Sequence, residues 1–221
     1  MSGKAKREIL VWALLVVIFL AGCWILRTFA IDDAYITYRF GHRLAELGTL
    51  RWNFGDAPIE GYTSFLSVII SAAFIKLRLD PLWAWKILST LLALASGVLL
   101  FKASAILGNH IHLPPRAWKA HLLAPALLLL SPPTWFHAMS GMETMLFTFL
   151  LVLSIYLAFV VLFHHKTQAW WAMNVLPVCL LMLGLARPEG VLWACVAIGG
   201  LYFSVNRDKR QPLLRRVMLL F

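Results

Sequence analysis

The sequence is poor in charged residues: Asp, Glu, Lys and Arg make up 14% of its 221 residues, against about a quarter in a soluble globular domain. Hydrophobic residues make up 61%. This balance excludes an ordinary soluble domain and indicates a chain that crosses a membrane several times. We therefore predict an all-α fold, a polytopic membrane helical bundle.

Acidic residues are the scarcer charged class: 10 Asp and Glu stand against 20 Lys and Arg, giving a net charge of +10. In a soluble protein this excess would suggest nucleic-acid binding. The sequence has no basic stripe interleaved with aromatic residues, so we expect no nucleic-acid partner. The basic residues lie between apolar runs. Membrane proteins carry an excess of Lys and Arg in their cytoplasmic loops, and we assign these residues to such loops.

Cysteine is rare as well. Cys23, Cys179 and Cys195 lie in apolar segments, without metal-ligand spacing or a disulfide partner in a loop. Residues 20–23 match a lipoprotein processing site, at which the preceding segment would be removed. The apolar run continues beyond this site, however, and residues 9–26 are about long enough to cross a bilayer. We therefore predict an uncleaved first membrane helix.

Further apolar runs cover residues 65–77, 82–107, 122–136, 142–163, 170–186 and 191–205. The run at 65–77 has about thirteen residues, which is short for a spanning helix. If it crossed, the basic cluster at 206–216 would lie outside, against the positive-inside rule; if it lies along the surface, the basic loops become cytoplasmic. We adopt the second arrangement, with about six spanning helices plus juxtamembrane helices.

The whole chain, 1–221, is then one transmembrane module. Lys4, Lys6 and Arg7 precede the first helix and predict a cytoplasmic N-terminus. The module consists of a first membrane helix (9–26), an extracytoplasmic loop with juxtamembrane helices (31–80), a membrane bundle (82–205), and a basic cytoplasmic loop with the start of a further helix (206–221).

Asp32 and Asp33 follow the first helix and open an amphipathic helix that should end at Gly48. Its predicted apolar face carries Ile36, Phe40, Leu44 and Leu47, and its predicted polar face carries Tyr38, Arg39, His42, Arg43 and Glu46. This pattern is typical of a helix lying in the membrane surface. Arg39 and Arg43 fit a lipid-headgroup face as well as a role in binding a substrate phosphate.

Other charged residues fall on the same predicted face as the two aspartates: Glu60, Glu143, Arg187 and Glu189. Charges beside hydrocarbon are costly, so a convergent set indicates a functional site. Simpler interpretations remain open. Glu143 could complement a helix N-terminus, and Arg187 and Glu189 could form an ordinary interfacial salt bridge.

Carboxylates and an arginine at a lipid boundary suit glycosyl transfer. A carboxylate takes the proton from an attacking sugar hydroxyl, a guanidinium holds the departing phosphate, and nearby anions stabilise the cation-like transition state. Nucleotide sugars are cytoplasmic, whereas this face is predicted to be outside. The donor would therefore be a sugar on a lipid phosphate.

A family resemblance points the same way. It rests on Asp32-Asp33-Ala34-Tyr35-Ile36 with Arg39, Trp52-Asn53-Phe54-Gly55, Ile59-Glu60-Gly61-Tyr62-Thr63-Ser64, Ser140-Gly141-Met142-Glu143-Thr144 and Arg187-Pro188-Glu189-Gly190. In order and spacing these stretches resemble the GT-C superfamily of membrane glycosyltransferases. The set is most similar to bacterial enzymes that use polyprenyl-phosphate sugars, among them terminal arabinofuranosyltransferases. The resemblance runs from the first helix to Gly190.

The resemblance implies a GT-C-like N-terminal module in the bacterial plasma (inner) membrane, with its active site outside. Asp32 or Asp33 would be the general base of an inverting transfer, Glu143 would lie near the same site, and Arg39 and Arg187 would hold the donor phosphate. The implied substrate-binding residues are Arg39, Asn53, Glu60, Tyr62, Thr63, Glu143, Arg187 and Glu189.

The implied partners are a polyprenyl-phosphate sugar donor, a glycan or lipid acceptor of the cell envelope, and membrane lipids. Carboxylates can hold a divalent cation beside a phosphate, but no ligand set is specific enough to assign a metal.

Family members are several hundred residues long, so we expect this chain to be truncated. Two other functions remain. One is a catalytically inactive membrane subunit that binds the lipid sugar without transferring it. The other is a transporter, whose acids would be expected inside the helices rather than at their outer ends.

Overall fold

The structure is a computed structural model that describes residues 3–53, 57, 59, 61–163 and 166–204, without the side chains of 3, 4, 115–117 and 166–168. Every regular element in these residues is a helix, which confirms the all-α prediction. The helices are α1 (Gly3–Ile25), α2 (Asp33–Leu47), α3 (Phe65–Lys76), α4 (Pro81–His110), a 3-10 helix (Pro115–Leu122), α5 (Leu123–Leu129), α6 (Pro132–Met139), α7 (Thr144–Phe163), α8 (Lys166–Ala186) and α9 (Glu189–Ser204). The predicted basic loop at 206–221 lies outside the described residues.

Four helices are long and apolar enough to cross a membrane: α1, α4, α7 and α8. A fifth crossing is formed if Trp118–Leu129 and Pro132–Met139, which are bent by 51° against each other, make one span. The described part of α9 has 16 residues, about 24 Å of helix, which is shorter than the hydrocarbon core. The predicted number of about six spans is therefore not confirmed.

The bend between α5 and α6 has a local cause. Pro132 has no amide hydrogen and stands at the start of α6, so the preceding helix cannot continue through it. The indole Nε1 of Trp135 donates to the carbonyl of Leu129 at 2.7 Å. This bond satisfies a carbonyl that the break would otherwise leave unpaired in an apolar environment.

The bent pair also runs the length of the bundle. At its beginning, His121 packs against Gly108 near the end of α4. At its other end, the carbonyl of Ser140 accepts a hydrogen bond from the amide of Ile31, which follows α1. Between them, Trp135 packs against Gly22 of α1 so closely that a Cβ at Gly22 would fall within the indole ring. These contacts favour one broken crossing rather than a re-entrant loop.

The short helix α3 pairs with α2. The helices approach closely at Gly41, where a Cβ would lie 2.8 Å from the Cβ of Ser71. The Nε1 of Trp85 in α4 donates to the hydroxyl of Ser71 at 2.8 Å and joins the hairpin to the bundle. With 12 residues, α3 is about 18 Å long, too short to span a bilayer, as expected for the run at 65–77.

Helix α2 ends at Gly48, with φ of 66°, as predicted. Its two faces were predicted less well. Tyr38, expected on the polar face, is buried, and Leu47, expected on the apolar face, is 43% exposed. The reason is that α2 packs on two sides, against α3 through Gly41 and against the α6–α7 turn through Tyr38.

The main core lies between α4, α7 and α8. Leu157, Leu176, Leu180 and Leu183 are almost completely buried there. A second apolar cluster joins α1 to α4 and α6. The two clusters fix the helices relative to one another. The candidate site lies at the end of the bundle where α2 and α7 begin and α8 ends.

Candidate functional site

The turn between α6 and α7, residues 140–143, is held against the segment that carries the two aspartates. The amide of Ile31 donates to Ser140 at 3.0 Å, and the hydroxyl of Tyr38 donates to the carbonyl of Gly141 at 2.6 Å. Gly141 has φ of 81°, and a Cβ there would lie 2.6 Å from the Tyr38 hydroxyl oxygen. A glycine is needed at this position for both reasons.

Glu143 and Arg187 form an ion pair at the same end of the bundle. Arg187 Nε lies 3.1 Å from Glu143 Oε1, and the side chains are 32% and 2% exposed, respectively. A buried carboxylate requires such a partner. The pair joins the start of α7 to the end of α8, and thus brings two of the predicted site stretches together.

The structure distinguishes some of the simpler interpretations. The carboxylate partner of Arg187 is Glu143 rather than Glu189, so the expected alternative of an Arg187–Glu189 salt bridge is wrong. Glu143 immediately precedes α7, where a negative charge also complements the helix dipole. This helix-end role is compatible with the ion pair.

Asp32 and Asp33 are both exposed. Asp32 occupies the N-cap position of α2, and its side chain makes no capping hydrogen bond. Asp33 is the first residue of the helix. Ile31, the residue before them, is hydrogen-bonded to Ser140, so the backbone that leads into the two aspartates is held beside the α6–α7 turn, and both side chains are exposed to solvent.

Arg39 is tied to the loop that follows α2. Its Nε donates to the carbonyl of Trp52 at 3.1 Å, and an Nη donates to Asn53 Oδ1 at 2.7 Å. Its guanidinium carbon lies 4.1 Å from the centre of the Trp52 ring. Two predicted substrate-binding residues, Arg39 and Asn53, thus bind each other. Their contacts fix Arg39 to the first residues of this loop.

The other predicted residues are not gathered around the ion pair. Tyr62 is half-buried against Phe40, with ring centres 5.1 Å apart. Thr63 and Glu189 are exposed, and in the described part of the chain no hydrogen bond links either of them to Glu143 or Arg187. Glu60 lies outside the described residues.

Tyr38 is a site residue that sequence reasoning missed. Burial, with smaller effects from Tyr35, Asp80 and Glu143, raises the pKa of Tyr38 well above its ordinary value. The hydroxyl therefore keeps its proton and remains a donor to Gly141. Helical periodicity places Tyr38 on the polar side. A glycine within the turn 140–143 was the one sequence signal of a close approach.

Two further polar groups were also missed. Lys86, in the second turn of α4, is buried and donates from Nζ to the carbonyl of Arg27 at 2.7 Å, at the end of α1. Nδ1 of His137, in α6, is buried and has no hydrogen-bond partner among the described residues. His137 lies in the last turn of α6, ahead of the turn that contacts Ile31 and Tyr38.

No family model, curated protein or solved structure matches the chain. Within the described ranges, no three His, Cys, Asp or Glu side chains are grouped as a metal site requires. The described residues form a helical bundle with spans suited to a membrane. One end of it carries the Glu143–Arg187 pair and two exposed aspartates.

Proposed function

We propose that this protein is a membrane glycosyltransferase of the GT-C type. It would transfer a sugar from a polyprenyl-phosphate donor to a glycan or lipid acceptor at the extracytoplasmic face of a bacterial inner membrane. One observation carries the proposal: the turn before α7 is bonded both to Ile31, beside Asp32, and to Arg187. Stretches far apart in the sequence, each containing a candidate site residue, are thus neighbours.

The proposed chemistry uses groups at this end of the bundle. Asp32 or Asp33 takes the proton from an acceptor hydroxyl, whose oxygen attacks the anomeric carbon as the bond from that carbon to the phosphate oxygen breaks. The configuration at the anomeric carbon inverts, and the phosphate leaves on its lipid. Exposure of the two aspartates allows a hydroxyl to reach them.

Arg187 suits a phosphate contact while it stays paired with Glu143. Its Nε is used in the pair, but a guanidinium has five N–H donors in a planar fork. The side chain is 32% exposed, so part of it is open to a ligand. The Glu143 carboxylate would hold the guanidinium in position as the donor binds.

The decisive experiment is sugar transfer in proteoliposomes, with a radiolabelled mixture of polyprenyl-phosphate sugars and membrane acceptor lipids. We expect Asp32→Asn or Asp33→Asn to lower the transfer rate by about 10²-fold or more, because a general base contributes that much. Glu46→Gln is the matched control, since Glu46 is an exposed acid on the same helix. Equal activity in all three variants would contradict the assignment of the base.

The alternative is a membrane subunit that binds the lipid sugar without transferring it. It is favoured by the Asp32 side chain, which makes no hydrogen bond to its own helix that would orient it as a base. In the same proteoliposomes this alternative predicts donor binding by the wild-type chain without transfer. Binding that is unchanged by either aspartate substitution would support it further.

A further inference from the structure

A cleft of about 710 Å³ lies between α2 and the turn that joins α3 to α4. One wall is a single face of α2, from Tyr35 to Arg43, whose members recur at helical spacing. The opposite wall is the turn from Arg78 to Pro81. The cleft lies at the start of α4, a candidate span that begins at Pro81, and the end of a span is where lipid headgroups are expected.

The cleft is cationic. Arg39 and Arg43 line one wall and Arg78 the other, whereas Asp80 is the one carboxylate among its lining residues. Asp80 caps α4, accepting a hydrogen bond from the amide of Trp83 at 2.9 Å. Three guanidinium groups around one cavity raise its positive potential, which attracts an anionic ligand.

The backbone at Arg78 is a second, independent observation. Arg78 has φ of 59° and directly follows the end of α3, where the amide of Leu79 donates to Phe74 at 3.0 Å. Glycine is the usual residue at this left-handed position, because a Cβ makes it unfavourable. An arginine here costs stability that its side chain does not recover by burial, since Arg78 is exposed.

On the α2 wall of the cleft, Arg39 is already held in a fixed position before any ligand binds. Contacts with Trp52 and Asn53 hold Arg39 in place, so less side-chain entropy is lost on binding. Tyr35 is 52% exposed and offers an aromatic surface beside the arginines. The planar N–H groups of an arginine can bind two oxygens of a phosphate at once.

We propose that this cleft is a phosphate-binding site, with Arg43 and Arg78 contacting the anion from opposite walls and Arg39 completing the cationic lining. The ligand is a phosphoester at the membrane surface, either a polyprenyl phosphate or the headgroup of an anionic phospholipid. The site goes beyond the proposed transfer reaction, because it uses neither aspartate and requires no acceptor.

Binding to the purified full chain in phosphatidylcholine nanodiscs tests the proposal, with no acceptor present. The probes are radiolabelled polyprenyl phosphate, phosphatidylglycerol incorporated into the nanodisc, and inorganic phosphate. We expect one of the two lipid probes to bind about tenfold more weakly to Arg43→Gln, and the same probe to bind about tenfold more weakly to Arg78→Gly. About tenfold is the effect of losing a charge-assisted hydrogen bond. Lys76→Gln is the control, since Lys76 is an exposed cation of α3 that does not line the cleft.

Arg78→Gly has an internal check on folding. Glycine fits the left-handed backbone, so thermal unfolding of this variant should occur at the same temperature as wild type or higher, while phosphate binding falls. A loss confined to polyprenyl phosphate identifies a lipid carrier as the ligand, and a loss confined to phosphatidylglycerol identifies a membrane headgroup. Unchanged binding of every probe in both arginine variants overturns the proposal, whether or not the chain transfers sugar.

Discussion

The α7–α8 interface and the α2 end of the bundle are held together by different kinds of contact. Between α7 and α8, leucines such as Leu157 and Leu180 are almost fully buried, and packing dominates. At the end of the bundle where α2 packs, the contacts that matter are the Tyr38 hydroxyl on a turn carbonyl and the Glu143–Arg187 ion pair, which links the start of α7 to the end of α8. Packing tolerates changes of side chain if volume is kept, whereas these polar contacts require particular atoms at particular distances. The end of the bundle where α2 packs is therefore under a more specific constraint than the helices that carry it.

The largest effect should come from Arg187→Leu. This change leaves the 2%-exposed Glu143 carboxylate without its partner, and we expect a loss of about 3–5 kcal/mol in the free energy of unfolding. Denaturant unfolding in mixed micelles measures it.

The double variant Arg187→Leu with Glu143→Leu removes both charges and should recover most of the lost stability. If the single and double variants are equally unstable, the ion pair is not what holds the ends of α7 and α8 together.

Leu180→Ala tests the packed side of the comparison. Leu180 is 1% exposed, and deleting its buried methyl groups should cost about 2–4 kcal/mol through lost contacts and a cavity. Polyprenyl-phosphate binding should be unchanged, because Leu180 lies about two helical turns, ~10 Å, from Arg187 and is buried in the core. A stability loss accompanied by an equal loss of binding would mean that the two regions are not separable. Leu180→Met, which nearly conserves volume, is the control and should cost less than about 1.5 kcal/mol.

A smaller effect is expected for Tyr38→Phe. The aromatic ring stays buried, but the carbonyl of Gly141 loses the hydroxyl donor now at 2.6 Å, at a cost of about 1–2 kcal/mol. Hydrogen exchange of the amides in the α6–α7 turn should speed up while exchange in α7 and α8 does not. Tyr35→Phe is the matched control, because Tyr35 is exposed and no such bond is lost. Uniform acceleration would show that the contact stabilises the whole bundle instead.

What the sequence predicts well is local. Apolar runs predict α4, α7 and α8 to within four residues at each end, and Gly48 predicts the end of α2; α1 ends within one residue of its apolar run but begins six residues before it. The break at 130–131 was missed within one apolar run, although Pro132 and Pro133 stand there, because hydropathy alone does not report a missing amide donor.

The candidate site is less predictable, for a physical reason. The Glu143–Arg187 contact joins residues 44 positions apart and forms only when α7 and α8 pack together. Tyr38 and Gly141 are farther apart still in the chain. Glu143 and Arg187 are recognisable as candidates because charged residues are rare in this sequence. The periodicity of one helix, however, does not tell which residue of another helix will contact it. For this reason Arg187 was given Glu189 as a possible partner, and Tyr38 was placed on the wrong face.

The contact of Trp135 with Gly22 has a consequence for biogenesis. The first helix enters the bilayer long before residue 135 is synthesised, so the notch at Gly22 initially faces lipid chains. When α6 arrives, its indole ring displaces those chains, and the release of ordered lipid contributes to the association of the two helices.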